Sequence, residues 1–433
     1  MRLALALLVA LTARATADCP KPSRLVFDPP GERHSLPHLT YDGKSYQLVG
    51  YDGPPTNLVL STFDLGKTKP TSTIVGQGGV AATATNGSQL AIAYLSDGAI
   101  VARKSDDKVV RHGDLEYVLI DGREAYSPRE KRGQSFFMVV DRAGKPVVKP
   151  IPLGDQRVMH TAPGVQIAWN PRDKEWGVVW SEFNRLVFGR LDKDGKLLST
   201  APVVIDGFVQ SSSRMVWTGT AFAFLASTPK GLALFEATAA GVKPTPIAIE
   251  AGAIEPVLGT TVDSYAIAYR ITRPGPRPAM PSKSKIATDQ TPPKMSKEDF
   301  PSKSQPFNQP PPTPDEYLLR LVTVTGGKTG TPVTLATVSG GPLLETPVIQ
   351  ADGLRWVIAW GQRVGAAVGF DDRLWVTRVD SAGKHAAGYP RRLDSEEVHQ
   401  GYASIAGTGC DLAISYVLGD PNGAVRVGVV RAP

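Results

Sequence analysis

The stretch Trp176-Gly177-Val178-Val179-Trp180 decides the fold, because six degenerate copies of it stand elsewhere in the chain. They read Tyr46-Gln47-Leu48-Val49-Gly50, Leu90-Ala91-Ile92-Ala93-Tyr94, Phe222-Ala223-Phe224-Leu225-Ala226, Tyr265-Ala266-Ile267-Ala268-Tyr269, Trp356-Val357-Ile358-Ala359-Trp360 and Leu412-Ala413-Ile414-Ser415-Tyr416. Each copy is short and apolar at nearly every position. That pattern belongs to a strand buried on both faces, since a half-exposed strand would alternate. Seven copies of one buried strand indicate one supersecondary unit repeated along the chain.

The surroundings of each copy define the unit. A turn residue commonly stands three positions ahead of it, as Gly43, Gly87, Asp173, Gly219, Gly353 and Gly409. Before the turn lies a short strand, as in Leu39–Tyr41, Ala81–Thr85, Val165–Trp169, Arg214–Trp217, Pro347–Gln350 and Ala403–Ala406. The copy with fewest interruptions, Gly164–Ile205, adds a third strand at Arg185–Leu191, a turn at Asp192–Lys196 and a last strand at Pro202–Ile205. No long segment has helical periodicity. Four short strands in roughly 40–45 residues match a propeller blade. The expected fold is therefore all-β, a seven-bladed β-propeller of four-stranded blades, with eight blades as the alternative. In such a fold Trp176, Trp180, Trp356 and Trp360 fill the wedges between blades, where large planar side chains bury most area.

Spacings between successive core strands are 44, 86, 46, 43, 91 and 56 residues, so two are doubled. Ile271–Pro312 accounts for the second doubling. It holds eleven prolines in 42 residues with few apolar groups, and is expected to be a disordered loop. In the first doubled gap, 97–132 mixes charge with the strand-like Glu116–Ile120 and reads as an ordered insertion rather than an eighth blade. The last repeat supplies only three strands before the chain ends at Pro433. Ser23–Phe27 has strand character and belongs to no other blade, so it is expected to close the ring and remove an exposed edge. Cys19 and Cys410, the two cysteines, then lead into strands at the same end of one sheet and are expected to pair.

Residues 1–17 read as a signal peptide, with Arg2 ahead of the apolar run Leu3–Leu11 and an Ala15-Thr16-Ala17 cleavage site. The apolar run is too short to span a bilayer. Residues 18–433 are then a single domain, secreted or periplasmic. A lipoprotein anchor at Cys19 is disfavoured by Asp18, where a small residue should precede the cysteine. No other stretch is long and apolar enough for a membrane span. Without residues 1–17 the chain carries 46 Lys+Arg against 41 Asp+Glu, a net of +5, and the Pro-rich stretch alone contributes +4. A nucleic-acid surface would spread such charge along a folded face, so no nucleic-acid partner is expected.

Taken with hairpins such as Arg190–Lys196 and Arg378–Lys384, the seven core strands make the chain resemble secreted bacterial seven-bladed β-propellers built on W-x-V-x-W-type repeats, a family of unknown function. The resemblance implies a fold and leaves function open, because propellers host binding, scaffolding and hydrolysis alike. The WD dipeptide of cytoplasmic repeats and the Asp box of sialidase-like propellers are both absent from the sequence.

No motif points to catalysis. Asp192-Lys193-Asp194-Gly195 resembles the start of a calcium loop but lacks a closing Glu, and a bulged hairpin turn explains it. His34 and His38 have no zinc-site spacing around them and read as solvated or locally bonded. No nucleophile elbow is present, and no cofactor or metal is expected. Function is expected on the face bearing the second-to-third-strand loops, where both insertions emerge, since loops on a rigid scaffold carry recognition. The candidates there are Asp52, Glu182, Arg270, Asp371, Asp372 and Asp420. The expected molecule is a monomeric, non-catalytic binder of a protein or glycan. A carbohydrate-active hydrolase with carboxylates around the central channel, and a cell-envelope scaffold, are the alternatives.

Overall fold

The computed structural model describes residues 24–27, 38–52, 57–65, 69–96, 99–100, 108–112, 115–120, 123–126, 131–132, 134–154, 160–182, 185–205, 208–209, 213–261, 263–273, 316–339, 346–353, 355–364, 371–393, 403–419 and 425–431. The proposed signal peptide, Cys19, His34 and Asp420 lie outside these residues, as does most of the Pro-rich stretch.

Every named strand pairs antiparallel, and the core strands quoted above lie in the middle of seven separate sheets. Blade 1 is His38–Tyr41, Tyr46–Asp52, Asn57–Phe63 and Thr71–Gln77. Blade 2 is Gly79–Thr85, Leu90–Leu95, Ser135–Val140 and Pro146–Pro152, and blade 3 is His160–Asn170, Glu175–Glu182, Arg185–Asp192 and Leu197–Ile205. In blade 4 two short pieces, Phe208–Val209 and Val216–Trp217, share the inner edge of Phe222–Thr228, followed by Gly231–Thr238 and Gly241–Pro246. Blade 5 runs from Ile254–Thr260 through Tyr265–Arg273 to Glu316–Thr325, whose outer edge takes Lys328–Thr329 and Val333–Ser339. Blade 6 is Val348–Asp352, Arg355–Val364, Asp371–Val379 and Arg391–Arg392. Blade 7 holds Ser404–Ala406, Ala413–Gly419 and Val425–Arg431 from the C-terminal end and Arg24–Phe27 as its outer strand. The first strands of successive blades are neighbours all the way round, from blade 1 to blade 7 and back to blade 1. The chain is a seven-bladed β-propeller.

Seams between blades explain the run of apolar positions in each core strand. Trp176 and Trp180 pack towards blade 2, among Ala91, Phe137 and Val139, while Val179 on the opposite face packs towards blade 4, among Phe222 and Phe224. Trp176 and Trp180 are buried, as are Trp356 and Trp360. Gly177 keeps the same strand thin: a Cβ there would sit 2.5 Å from the Phe222 ring, inside van der Waals contact.

Between the second and third strands of blade 2, Lys108–His112, Leu115–Ile120 and Arg123–Tyr126 form a three-stranded sheet of their own, and Ala99–Ile100 pairs with Lys131–Arg132. In blade 5 the second strand runs on to Arg273, with Ile271 buried in the core, so the Pro-rich stretch departs later than its composition suggests. The hairpin at Asp192 shows what its acidic residues do. Asp192 Oδ1 accepts N–H bonds from Asp194 (2.9 Å) and Lys196 (2.8 Å), and Gly195 takes the left-handed conformation. Asp141 and Asp380 hold their turns in the same way.

Candidate functional site

In a four-stranded antiparallel blade, the second-to-third-strand loops and the blade-to-blade connections leave by one face. Glu182 ends the second strand of blade 3 on that face and is buried there. The Trp180 indole donates to its Oε1 at 2.8 Å, and Arg185 donates to Oε2 at about the same range, 3.1 Å from Nε and 3.0 Å from Nη2. Gly154, in the connection from blade 2, approaches so closely that a Cβ would lie 1.8 Å from Glu182 Oε1. Its φ of +65° is a second reason for glycine. Glu182 is thus a packed, fully engaged carboxylate joining two blades.

Arg270 belongs to the second strand of blade 5 and bonds Glu255. Glu255 is unusual. It lies on the innermost strand of that blade, at a register break between Ile254 and Val257, with φ of +51°. A non-glycine residue in the left-handed region costs on the order of 1–3 kcal/mol and persists where surrounding contacts dictate it. Here the contact is the Arg270 guanidinium, which pairs with the half-exposed carboxylate. Nearby, Arg320 clasps Glu250 with Nε at 2.9 Å and Nη2 at 3.2 Å, and the Tyr269 hydroxyl donates to the same carboxylate at 3.0 Å. Burial and that carboxylate push the Tyr269 hydroxyl up to about 12.

Of the other sequence candidates, Asp52 closes the second strand of blade 1, opposite Asn57. Asp371 and Asp372 open the third strand of blade 6, opposite Val364 and Arg363. Asp420 lies outside the described residues. The described candidates therefore fall in blades 1, 3, 5 and 6; Glu182 and Arg270 are two blades apart, each held by a partner of its own blade.

The channel holds a group that the sequence does not advertise. Arg214 precedes the inner strand Val216–Trp217 of blade 4 and reaches the opposite side of the ring. Its Nη1 donates to the Ile405 carbonyl of blade 7 at 2.9 Å and to the Leu39 carbonyl of blade 1 at 3.3 Å, and Nη2 donates to Ser404 Oγ. Inner strands have one edge without a neighbouring strand, so their backbone groups face the axis unpaired. Arg214 supplies donors to the carbonyls of two such edges. Serines serve the N–H groups: Ser404 Oγ accepts from Leu39 N at 2.9 Å, and Ser213 Oγ from Leu258 N at 3.2 Å.

Two titratable groups near the axis differ in charge. Burial lowers the Arg214 guanidinium to about 10, so it stays charged at neutral pH. His38 is pushed down to about 3, first by burial and then by the positive charge of Arg214. Its imidazole is therefore neutral, where the sequence had suggested a solvated or locally bonded histidine.

The fold has relatives of remote sequence. The β-propeller domain of the trilobed protease from Pyrococcus furiosus is 8% identical, with a TM-score of 0.44 over 93% of this chain and 95% of its own. A Trypanosoma rangeli sialidase is 10% identical with a TM-score of 0.39, covering 95% of this chain and 59% of the sialidase. The catalytic domain of a Coprinopsis cinerea GH62 α-L-arabinofuranosidase is 7% identical with a TM-score of 0.33, over 94% of this chain and 96% of that one. No protein-family model and no curated protein matches the sequence.

Proposed function

We propose that this chain is an exported, non-catalytic β-propeller that recognises a protein or glycan through its insertion-bearing face. The observation that carries the proposal is the placement of its two longest excursions. The five short strands between 99 and 132 and the stretch 274–315 both join a second strand to a third, so both leave on the same face. A two-carboxylate hydrolase would need acids about 5–10 Å apart with one poised to protonate. Three described glutamates are instead committed to arginines: Glu182 to Arg185, Glu250 to Arg320 and Glu255 to Arg270. Deleting 274–315, or replacing 101–130 with a short Gly-Ser link, is expected to weaken ligand capture on a glycan array or in a pull-down at least tenfold. Unchanged capture by both deletions, with the melting temperature preserved, would refute the assignment.

Export rests on residues 1–17, and the repeat resembles that of the W-x-V-x-W-type secreted propellers. Oxidation fits export. Arg24 pairs with Val430, which pairs with Ile414 on its other side, so Cys410 and Cys19 lead into parallel strands from the same end. Two strand spacings, about 10 Å, separate those strands, a span that a Cys19–Cys410 bridge would have to close. A bridge over so long a loop contributes on the order of 5 kcal/mol by the chain-entropy model. Non-reducing peptide mapping of the secreted protein is expected to recover a Cys19–Cys410 linked pair; free thiols at both positions would exclude it.

A further inference from the structure

We propose that Arg214 is the docking point for a carboxylate group of a ligand that enters the central channel. The guanidinium carries five N–H protons. Nη1 uses two on the Leu39 and Ile405 carbonyls and Nη2 uses one on Ser404 Oγ. Nε–H and the second Nη2 proton meet no acceptor among the described residues. Every acceptor that Arg214 has among the described residues is a neutral dipole, so no anion among them pairs with its charge. A cation withdrawn from water is costly unless an anion accompanies it. Arg214 is nonetheless only partly buried, so part of its surface meets solvent.

The chemistry of the ligand follows from what is left over. Two donors and one positive charge match a carboxylate, which has two oxygens and one negative charge and pairs with arginine in a planar, two-bond geometry. A phosphate dianion would bring more charge and more acceptors than this site meets. His38 adds no second positive charge, because its imidazole is neutral. The low-dielectric walls of the channel strengthen the field of the single cation along the axis. The three existing bonds hold the guanidinium plane still, so little freedom is lost when the anion arrives.

This inference deepens the recognition role proposed above by giving the ligand a charge, and it is tested separately from it. Acetate, D-glucuronate and the C-terminal carboxylate of a dipeptide are titrated at constant ionic strength against chloride, with methyl glucoside and the dipeptide amide as neutral controls. Wild type is expected to gain thermal stability with acetate and with at least one larger acid, and the stronger acid reports whether a sugar or a peptide supplies the group. Arg214→Gln is expected to abolish the response, and Arg214→Lys to weaken apparent affinity at least tenfold, because a lysine keeps the charge without the planar fork. No gain over chloride, or an equal gain in Arg214→Gln, would overturn the proposal. Inorganic phosphate outperforming every carboxylate would overturn the choice of anion.

Should Arg214→Gln fail to fold, phenylglyoxal mapping of wild type decides. The Arg214 peptide is expected to be modified in free protein and protected by the binding acid; an unmodified or unprotected Arg214 would overturn the assignment. Loss of the acid response with insertion-dependent capture intact removes only the channel site. Loss of insertion dependence with the acid response intact removes only the face assignment.

Discussion

Trp180→Ala is expected to destabilise the propeller by about 3–5 kcal/mol, the range for truncating a buried large aromatic. Trp180 is 1% exposed in the seam between blades 2 and 3. A second loss adds to the cavity. The indole N–H donates to buried Glu182, and its removal strips that carboxylate of one bond while Arg185, itself partly in water, remains. Trp180→Phe separates the two terms, since it keeps most of the ring and removes the donor, and should cost about 1–3 kcal/mol. Urea denaturation of the two variants measures both. A loss in Trp180→Ala no larger than in Trp180→Phe would show that the seam tolerates the cavity. The same tryptophan that packs the blades thus also holds the buried carboxylate that ends the second strand of blade 3.

How far the sequence could be read depended on whether a residue's role repeats. The core strands were legible because two-sided burial imposes an apolar run on every blade, and seven copies average out substitutions such as Gln47 or Ser415. The closing strand was legible for the opposite reason: Ser23–Phe27 belonged to no unit, while the last unit lacked one, and the structure pairs Arg24–Phe27 there. The first strand of blade 5 was missed. Ile254–Thr260 contains Pro256 and Gly259, both of which argue against a strand. Its inner edge has no strand beside it, so a residue without an N–H is tolerated, and the break at Glu255 absorbs the irregularity.

Arg214 was illegible for a deeper reason. In the sequence it only opens the short strand-like run Arg214–Trp217. Its partners are main-chain carbonyls 175 and 191 positions away. A carbonyl has no residue type, so no pattern in the sequence marks it as an acceptor. Glu255 is comparable, because its importance lies in a backbone angle. Of the candidate site, what the sequence exposed were strand-end charges such as Glu182 and Arg270; the axis they surround emerged only from the ring.

Leu25→Asp should have the larger consequence for the ring as a whole. Leu25 lies on the N-terminal strand, 6% exposed, packed with Leu39 and Leu48 of blade 1 and with Val427 and Val429 of blade 7. One side chain therefore joins the two ends of the chain to the first complete blade. A carboxylate there must either be buried unpaired, at a cost of several kcal/mol, or leave with its strand. Departure exposes the edge of Val425–Arg431, whose backbone groups then lack partners and invite pairing with another chain. Hydrogen exchange is expected to rise across 413–431 at temperatures where blade 3 stays protected, followed by concentration-dependent aggregation. The proposed Cys19–Cys410 bridge would blunt the effect by keeping the loosened strand at high local concentration beside its edge. Reducing agent should therefore worsen the variant more than it worsens wild type. Uniform protection across blades 3 and 7 would mean that the ring closes without this strand, and would move the seal to the contacts between inner strands, Arg214 among them.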